Sequence, residues 1–360
     1  MGDGVHPLLS PNAQGSAQGD GHGACGGTVK DAVVCPTIGR HATISTKIRS
    51  KANEICFTIS FASGGIVGHC WAISLVTLTT VMACVAAAAQ DRDAFLARQT
   101  INCPGCNLGG ASLDHRDLTG ADLSGADLRG ATFSRTVLRA ANLAGANLVG
   151  APLKRHDLTG ANLSGANLEG ATLHRAILRA ANLSGANLAG ANLNAAILTS
   201  AKLQRAKLAQ ALLFQTDAGG ADFTGADLSA ALMGSARLIV ARLDGANLTF
   251  ADLWEGRLTN ASLRGATLTD ANLHGATLLR ADLSGASGER TNLMRANVRT
   301  ANLSGATLRG ADLFQADLVD ADLSGADLGE ARLSAAKLFN ANQTDTNFRG
   351  AIMPDNSVHP

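Results

Sequence analysis

The sequence predicts an all-β solenoid of the β-helix type, and two observations lead to that fold class. A large apolar residue recurs at every fifth position from Leu108 to Phe348, with Leu, Phe, Met or Val at 46 of these 49 positions. Alanine stands two residues earlier in 41 of the 49 five-residue words. A strand would send successive leucines to opposite faces, and a helix would rotate each by about 140°. The leucines share one core if the backbone turns a corner every five residues.

The tandem words Ala-Asp-Leu-Ser-Gly (121–125) and Ala-Asn-Leu-Ser-Gly (161–165) resemble the pentapeptide repeat family. With the central apolar residue called i, the family's fold is a right-handed quadrilateral β-helix in which i and i−2 point inward. The resemblance implies four words per coil and therefore about 12 coils. It covers residues 101–353, which we expect to form one array with a tail at 354–360.

Two segments precede the repeats and differ from them in composition. Residues 1–65 are rich in Gly, Ser, Ala and Thr and show no sustained periodicity, so we expect them to be disordered or to follow a mis-assigned start. Residues 66–89 include an uncharged run that ends in three alanines, and Lys and Arg residues lie upstream of it. This pattern predicts a signal peptide cleaved before Gln90, and hence a periplasmic or secreted protein.

Three other interpretations of residues 66–89 remain open. The 20 uncharged residues from Cys70 to Ala89 are long enough for an uncleaved membrane anchor. The stretch that ends at Cys84 loosely resembles a lipoprotein box, and a buried helix of a cytosolic protein is the fourth interpretation. The segment therefore predicts export or membrane attachment without separating the two.

The start of the repeat tract carries a predicted cap and a cysteine pair. Residues 90–100 contain good helix formers, and we expect a short helix to cover the first coil with Ala94, Phe95 and Ala97 as its apolar contacts. Cys103 and Cys106 have the spacing of a redox motif. Both lie at inward positions outside any βαβ pattern, so the structural interpretation is favoured: buried thiols or a disulfide that locks the cap.

Sorting the words by central residues 20 apart defines four sides of the rod. Side 1 contains Leu123 and Leu143, side 2 Leu128 and Leu148, side 3 Phe133 and Leu153, and side 4 Leu138 and Leu158. Glycine at i+2 falls 11 times on side 1 and seven times on side 2, but four times on the other two together. Glycine suits turns with positive φ, whereas Arg or Ala there suggests other turn geometries. Asp and Asn dominate i−1 on sides 1 and 2, and we expect a solvated ladder there.

Sides 3 and 4 carry the candidate binding residues at their outward positions. A basic strip that would bind an anionic surface consists of Arg135, Arg139, Lys154, Arg155, Arg175 and Arg179. Two apolar rows that predict a protein interface, with the same chain or another, consist of Phe214, Trp254, Met294 and Phe314 on side 3 and Ile239, Leu279, Val319 and Phe339 on side 4.

Four of the departures from the core rule predict local changes in the structure. Arg116 and His156 replace Ala at i−2, and we expect both to be strained or turned outward because a buried unpaired charge is costly. Gly288 removes a core leucine and predicts a local bulge. Gln343 places an amide at a central position near the last coil and predicts fraying.

The sequence offers no catalytic residue set, metal cluster or cofactor motif, so the predicted function is non-catalytic. A rigid exported scaffold that binds a protein, glycan or membrane surface through the Arg and apolar strips fits these features best. Some members of the family resemble duplex DNA and bind gyrase in the cytoplasm, but that function needs an acidic surface. Residues 101–353 hold 23 Lys and Arg against 22 Asp and Glu, so no nucleic acid partner is expected. A delivered or membrane-associated effector is the further alternative.

Overall fold

The computed structural model describes residues 91–360 and, before them, the backbone of four two-residue strands. The chain divides into two compact units, Met1–Leu75 and Val76–Pro360. In the first unit, β1 (Ala42–Thr43) pairs antiparallel with β4 (Ser60–Phe61), and β2 (Ser50–Lys51) pairs with β3 (Glu54–Ile55). Apart from these strands, the predictions for residues 1–65 and 66–89 lie outside the described residues.

The second unit is a solenoid whose coils are 20 residues long. Parallel bridges join i−1 residues 20 apart, from Asn107 with Asp127 to Arg332 with Ile352. In most words, the N–H of a central residue such as Leu123 donates to a carbonyl 19 residues later, here Asn142 at 2.8 Å, whereas Leu153 donates to Ala151 instead. Within residues 91–360 these contacts are single-residue bridges, so the words do not extend into the continuous strands of a sheet. The fold is β-helix-like because a corner follows every short extended segment.

All corners of the coil have the same backbone geometry. In the turn after Leu123, the N–H of Ala126 donates to the Leu123 carbonyl at 3.1 Å. The i+2 residue has positive φ whether it is Gly125 (65°), Arg135 (57°) or Val240 (59°). The prediction that Arg and Ala mark other turn geometries is therefore wrong. Stacking of equal coils requires the same corner in every word, and it holds non-glycine residues in a conformation that costs about 1–2 kcal/mol each.

The core contains the i and i−2 side chains from all four sides. The central leucines from Leu108 to Leu333 and nearly all i−2 alanines are fully buried. The large side chains at i and the methyl groups at i−2 together fill the interior of each coil. Such burial stabilises the fold by roughly 1.5–3 kcal/mol per leucine before the cost of ordering the chain.

Polar residues at i−2 stay inward and donate to a carbonyl of the preceding coil. The hydroxyls of Thr136, Thr216 and Thr291 donate to carbonyls 23 residues earlier, at 2.8, 2.9 and 2.9 Å. Arg116 is buried and donates to the Phe95 carbonyl, while its guanidinium carbon lies 4.2 Å from the centroid of the Phe95 ring. Of the two predicted outcomes for Arg116, the outward one is wrong, because the chain end below it supplies both an acceptor and an aromatic face, and its Nη1 is buried without a hydrogen-bond partner in the described chain.

The two other departures also keep the register. Gly288 donates its N–H to the Thr307 carbonyl at 2.7 Å, as a leucine would, and the expected bulge is absent from this part of the described chain. A methyl group on Gly288 would lie 2.9 Å from Leu308 Cδ2, so neighbouring side chains fill the space of the missing leucine. Gln343 stays in the repeat pattern and is exposed at the end of the rod. Its predicted fraying stays a prediction.

Different elements close the two ends of the rod. Helix α1 (residues 91–96) is shorter than the predicted 90–100, and it buries Phe95 fully and Leu96 partly, whereas Ala97 is exposed. At the other end, the tail folds back so that Ile352 bridges Val358 antiparallel and the His359 ring lies 5.9 Å from Phe348. The folded tail was not predicted, because no periodicity marks residues 354–360.

Candidate functional site: two corners of the rod

The Asp and Asn ladders of sides 1 and 2 are occupied by structural hydrogen bonds. Asn162 donates its amide to Asn142 at 3.0 Å, and Asn142 donates to Asp122 at 2.9 Å. The same Asp122 oxygen accepts the backbone N–H of Ser124 at 3.1 Å and so supports the turn. Hydrogen bonds from the hydroxyl and backbone of Ser124 hold the pKa of Asp122 below its ordinary value. These side chains support the coils, in agreement with the predicted ladder.

Every residue predicted for binding lies on one of two corners, at i+1 or i+2 of side 3 or at i+1 of side 4. We call these the side 3 corner and the side 4 corner. They flank side 4, and the same positions change from basic to apolar along the rod. All 14 predicted binding residues therefore border one side, although the sequence analysis treated them as two separate sets.

The basic strip occupies the amino-terminal part of these corners. Arg135, Lys154 and Arg155 line a shallow depression of about 330 Å³ together with His156 and Asp157. Of the six predicted residues, Arg139 alone forms an ion pair within the described chain, at 3.5 Å from Asp157. The other five cations are exposed or half-buried without a carboxylate partner among the described residues, which leaves their charge available to an anionic surface.

His156 lines this depression with a half-buried imidazole ring. Its Nε2 lies 2.5 Å from the Phe133 carbonyl and its Nδ1 lies 3.1 Å from the Lys154 carbonyl. These two contacts hold the ring inward, so the predicted outward rotation of His156 is not observed.

The apolar rows are less exposed than predicted. Phe214 is 39% exposed and Phe339 is 71% exposed. The remaining six members are half-buried: Ile239, Trp254, Leu279, Met294, Phe314 and Val319. An i+1 side chain lies against the adjacent coil, which covers part of it. Each row is thus a partly covered apolar surface, and Phe214 and Phe339 are the most exposed members.

Sequence reasoning missed several exposed apolar side chains, and three of them are the most exposed of the missed set within residues 101–353. Leu232 is 48% exposed, Val240 56% and Phe250 64%. Leu232 and Leu212, one coil before it, occupy i−1 of side 3, where Thr, Asn and Asp are common. Leucine at these usually polar positions was the sequence signal for exposed apolar side chains. Val240 and Phe250 stand at i+2, where positive φ makes such residues unfavourable. Leu232 lies on side 3 beside the row and enlarges its exposed apolar surface.

Phe214 and Trp254 form a stacked aromatic pair on the side 3 corner. They are two coils apart, about 9.6 Å along the rod, yet their ring centroids are 6.3 Å apart with planes inclined by 27°. Trp254 leans across Gly234 of the intervening coil, where an added methyl group would lie 2.2 Å from the indole Nε1. Gly234 therefore makes room for the indole, and the pair depends on three successive coils.

Arginines of the carboxy-terminal half are largely neutralised by the chain itself. Arg264 lies 2.7 Å from Asp282, and Arg237 lies 3.1 Å from Asp217. Arg332 lies 3.3 Å from Asp312 and places its guanidinium carbon 4.4 Å from the centroid of Phe314. The corner at Phe314 thus already contains a cation, an aromatic ring and a carboxylate in contact.

The remaining features of the described chain are structural. Cys103 and Cys106 are joined by a disulfide beneath α1, and both are buried. Residues 91–360 contain no cluster of His, Cys, Asp and Glu able to hold a metal ion. No helix within this part of the chain has the length and apolar content needed to span a bilayer.

Comparison with known proteins identifies the repeat. The sequence model of pentapeptide repeats matches residues 102–135, 136–175, 176–215, 221–253, 241–280, 256–287, 280–310, 291–329 and 316–353. No curated protein matches the chain. Three solved structures of the same repeat type are similar to it.

HetL from Nostoc sp. strain PCC 7120, a protein involved in regulation of heterocyst differentiation, is 32% identical, with 74% of this chain and 96% of HetL covered and a TM-score of 0.40. Rfr23 from Cyanothece 51142 is 34% identical over 29% of this chain and 64% of its own, with a TM-score of 0.16. A trypsin-treated variant of QnrB1, a plasmid-mediated fluoroquinolone resistance protein, is 23% identical over 44% and 86%, with a TM-score of 0.23. The repeat model covers most of residues 102–353, and the chain belongs to the pentapeptide repeat family.

Proposed function

We propose that this protein is a non-catalytic exported scaffold that docks a partner protein along side 4, between the two corners. The observation that carries the proposal is the alignment of the basic strip and both apolar rows along the edges of that one side. Interfaces combine an apolar, partly aromatic centre with a charged surround. The corner residues lie outside the core, so the coil does not require them to be Arg, Phe or Trp.

A pair of serine substitutions tests the docking surface. Trp254→Ser with Phe314→Ser removes two aromatic groups from the side 3 corner, and we expect it to abolish self-association or partner capture because such anchors dominate interface energies. Sedimentation and chemical crosslinking in cells measure the effect. The matched control is Phe250→Ser, which removes an exposed ring from side 2. Unchanged association of the double variant, with an unchanged thermal midpoint, would show that the rows are not an interface.

The export component requires a separate experiment. The charge run and alanines around residues 66–89 support cleavage before Gln90 or retention as an anchor. Mass spectrometry of the mature amino terminus after cell fractionation distinguishes these products. A full-length cytosolic product would exclude export and favour the cytoplasmic gyrase-binding alternative. An inhibition assay of DNA supercoiling then tests that alternative, against which the near-neutral repeat tract argues.

A further inference from the structure

Two words on the side 3 corner share the same recognition groups. The word at Phe314 has Asp312 at i−1, the ring at i+1 and Arg332 at i−1 of the next coil, in contact with both. The word at Trp254 has Asp252 at i−1 and the indole at i+1. In this word, Asn272 stands in the place that corresponds to Arg332. The ring and the carboxylate are therefore repeated, whereas the guanidinium is not.

The groups around Trp254 favour a cation more strongly than those around Phe314. The Asp252 carboxylate is fixed in place, because its Oδ1 accepts the backbone N–H of Trp254 at 3.3 Å and the side-chain amide of Asn272 at 2.8 Å. Glu255 follows Trp254 at the exposed i+2 position and forms no ion pair among the described residues. The corresponding residue after Phe314 is the neutral Gln315. Asp252 thus lies at the base of the Trp254 side chain, and Glu255, which extends toward Gly275 of the following coil, adds a second negative charge nearby. The indole is the aromatic ring that binds cations best.

The surrounding charge is also suited to a cation. Residues 211–353 contain 16 Asp and Glu against 12 Lys and Arg, so this half of the rod is net negative by four charges. The Phe214 ring extends the aromatic surface, and Gly234 allows the indole to lie flat across the coil. A planar guanidinium stacks on such a surface while it donates to a carboxylate at its edge.

We infer that Trp254, Phe214 and Asp252 bind the guanidinium of an arginine side chain presented by the partner protein, and that Glu255 adds negative charge nearby. The inference rests on the proposed docking surface and names the chemistry that one part of it recognises. The Arg332 contact with Phe314 and Asp312 is the intramolecular form of the same interaction. Lysine would bind less well, because an ammonium lacks the planar face and the second donor.

Isothermal titration calorimetry of the full-length chain with a synthetic peptide tests the inference. The probe is acetyl-Gly-Arg-Gly-Arg-Gly-amide, and its control replaces arginine by citrulline, which has the same shape without the charge. We expect Trp254→Leu, Glu255→Gln and Gly234→Val each to weaken binding of the arginine peptide by about five- to tenfold. The matched control Glu169→Gln, which removes a carboxylate from side 2 of the other half, should leave the affinity unchanged.

Two exchanges between the words give the sharpest result. Asn272→Arg supplies the chain's own guanidinium and should suppress peptide binding, whereas Arg332→Asn should create a second site at Phe314 and raise the stoichiometry. A stoichiometry that neither exchange alters would overturn the inference. Equal binding of the citrulline peptide, still lost in Trp254→Leu, would overturn the cation selectivity alone and leave the docking surface standing. Loss of partner capture in a Phe314→Ser, Phe339→Ser variant, which leaves Trp254, Phe214, Asp252 and Glu255 unchanged, tests that surface independently.

Discussion

The two halves of the rod differ in charge although their cores are equivalent. Residues 101–210 hold 11 Lys and Arg against six Asp and Glu, while residues 211–353 hold 12 against 16. In the first half the corner cations mostly lack carboxylate partners among the described residues, and in the second half arginines contact Asp one coil away. The comparison shows that the coil fixes i and i−2 and leaves the corners free to differ. Binding properties can therefore change along the rod without a change of fold.

Core truncation should have the largest effect and should be equal in the two halves. Leu173→Ala and Leu273→Ala remove fully buried side chains from the same side of the rod. Each should lower the free energy of unfolding by about 2–5 kcal/mol, because the rigid coil cannot close over the cavity. Urea denaturation followed by circular dichroism measures the change. A markedly smaller loss in one half would break the equivalence of the cores.

Exchange of turn residues should have an intermediate effect of opposite sign in the two halves. On side 2, Gly170 has φ 62° and Ala230 has φ 53°. Gly170→Ala should destabilise by about 1 kcal/mol, and Ala230→Gly should stabilise by up to about 1 kcal/mol, since strain relief exceeds the added entropy of the unfolded chain. Thermal midpoints provide the measurement. Destabilisation by Ala230→Gly would mean that the corner holds no strain.

Neutralisation of single arginines should have the smallest effect and should separate the halves. Arg264→Gln breaks the 2.7 Å contact with Asp282, an exposed pair that solvent screens. It should cost roughly 0.2–1 kcal/mol at low salt and less at high salt. Arg175→Gln, which removes a cation without a carboxylate partner in the described chain, should not lower stability at all. Equal losses in both variants would show that pairing does not distinguish the halves.

The described chain shows why sequence reasoning succeeded in the core and failed at the corners. A leucine at every fifth residue has one way to be buried, so the core positions follow from the period alone. The exposure of Trp254 depends on Gly234 and Phe214, which lie 20 and 40 residues away in sequence and one and two coils away in space. The inward orientation of Arg116 depends on the Phe95 carbonyl and ring, which reach it only after α1 has packed on the first coil.

The sequence by itself determined the solenoid, because periodic burial of apolar side chains is a local and repeated requirement. The 20-residue coil and the inward i and i−2 positions followed from its resemblance to the pentapeptide repeat family. Tertiary structure alone decided that every corner takes positive φ, that Thr136 and His156 find acceptors on the preceding coil and Arg116 on α1, and that the tail folds over the last coil. It also decided that the basic strip and the apolar rows border one side. The acceptors of Thr136, Arg116 and His156 lie 23, 21 and 23 residues earlier, and no window of sequence shorter than a coil contains both partners of such a contact.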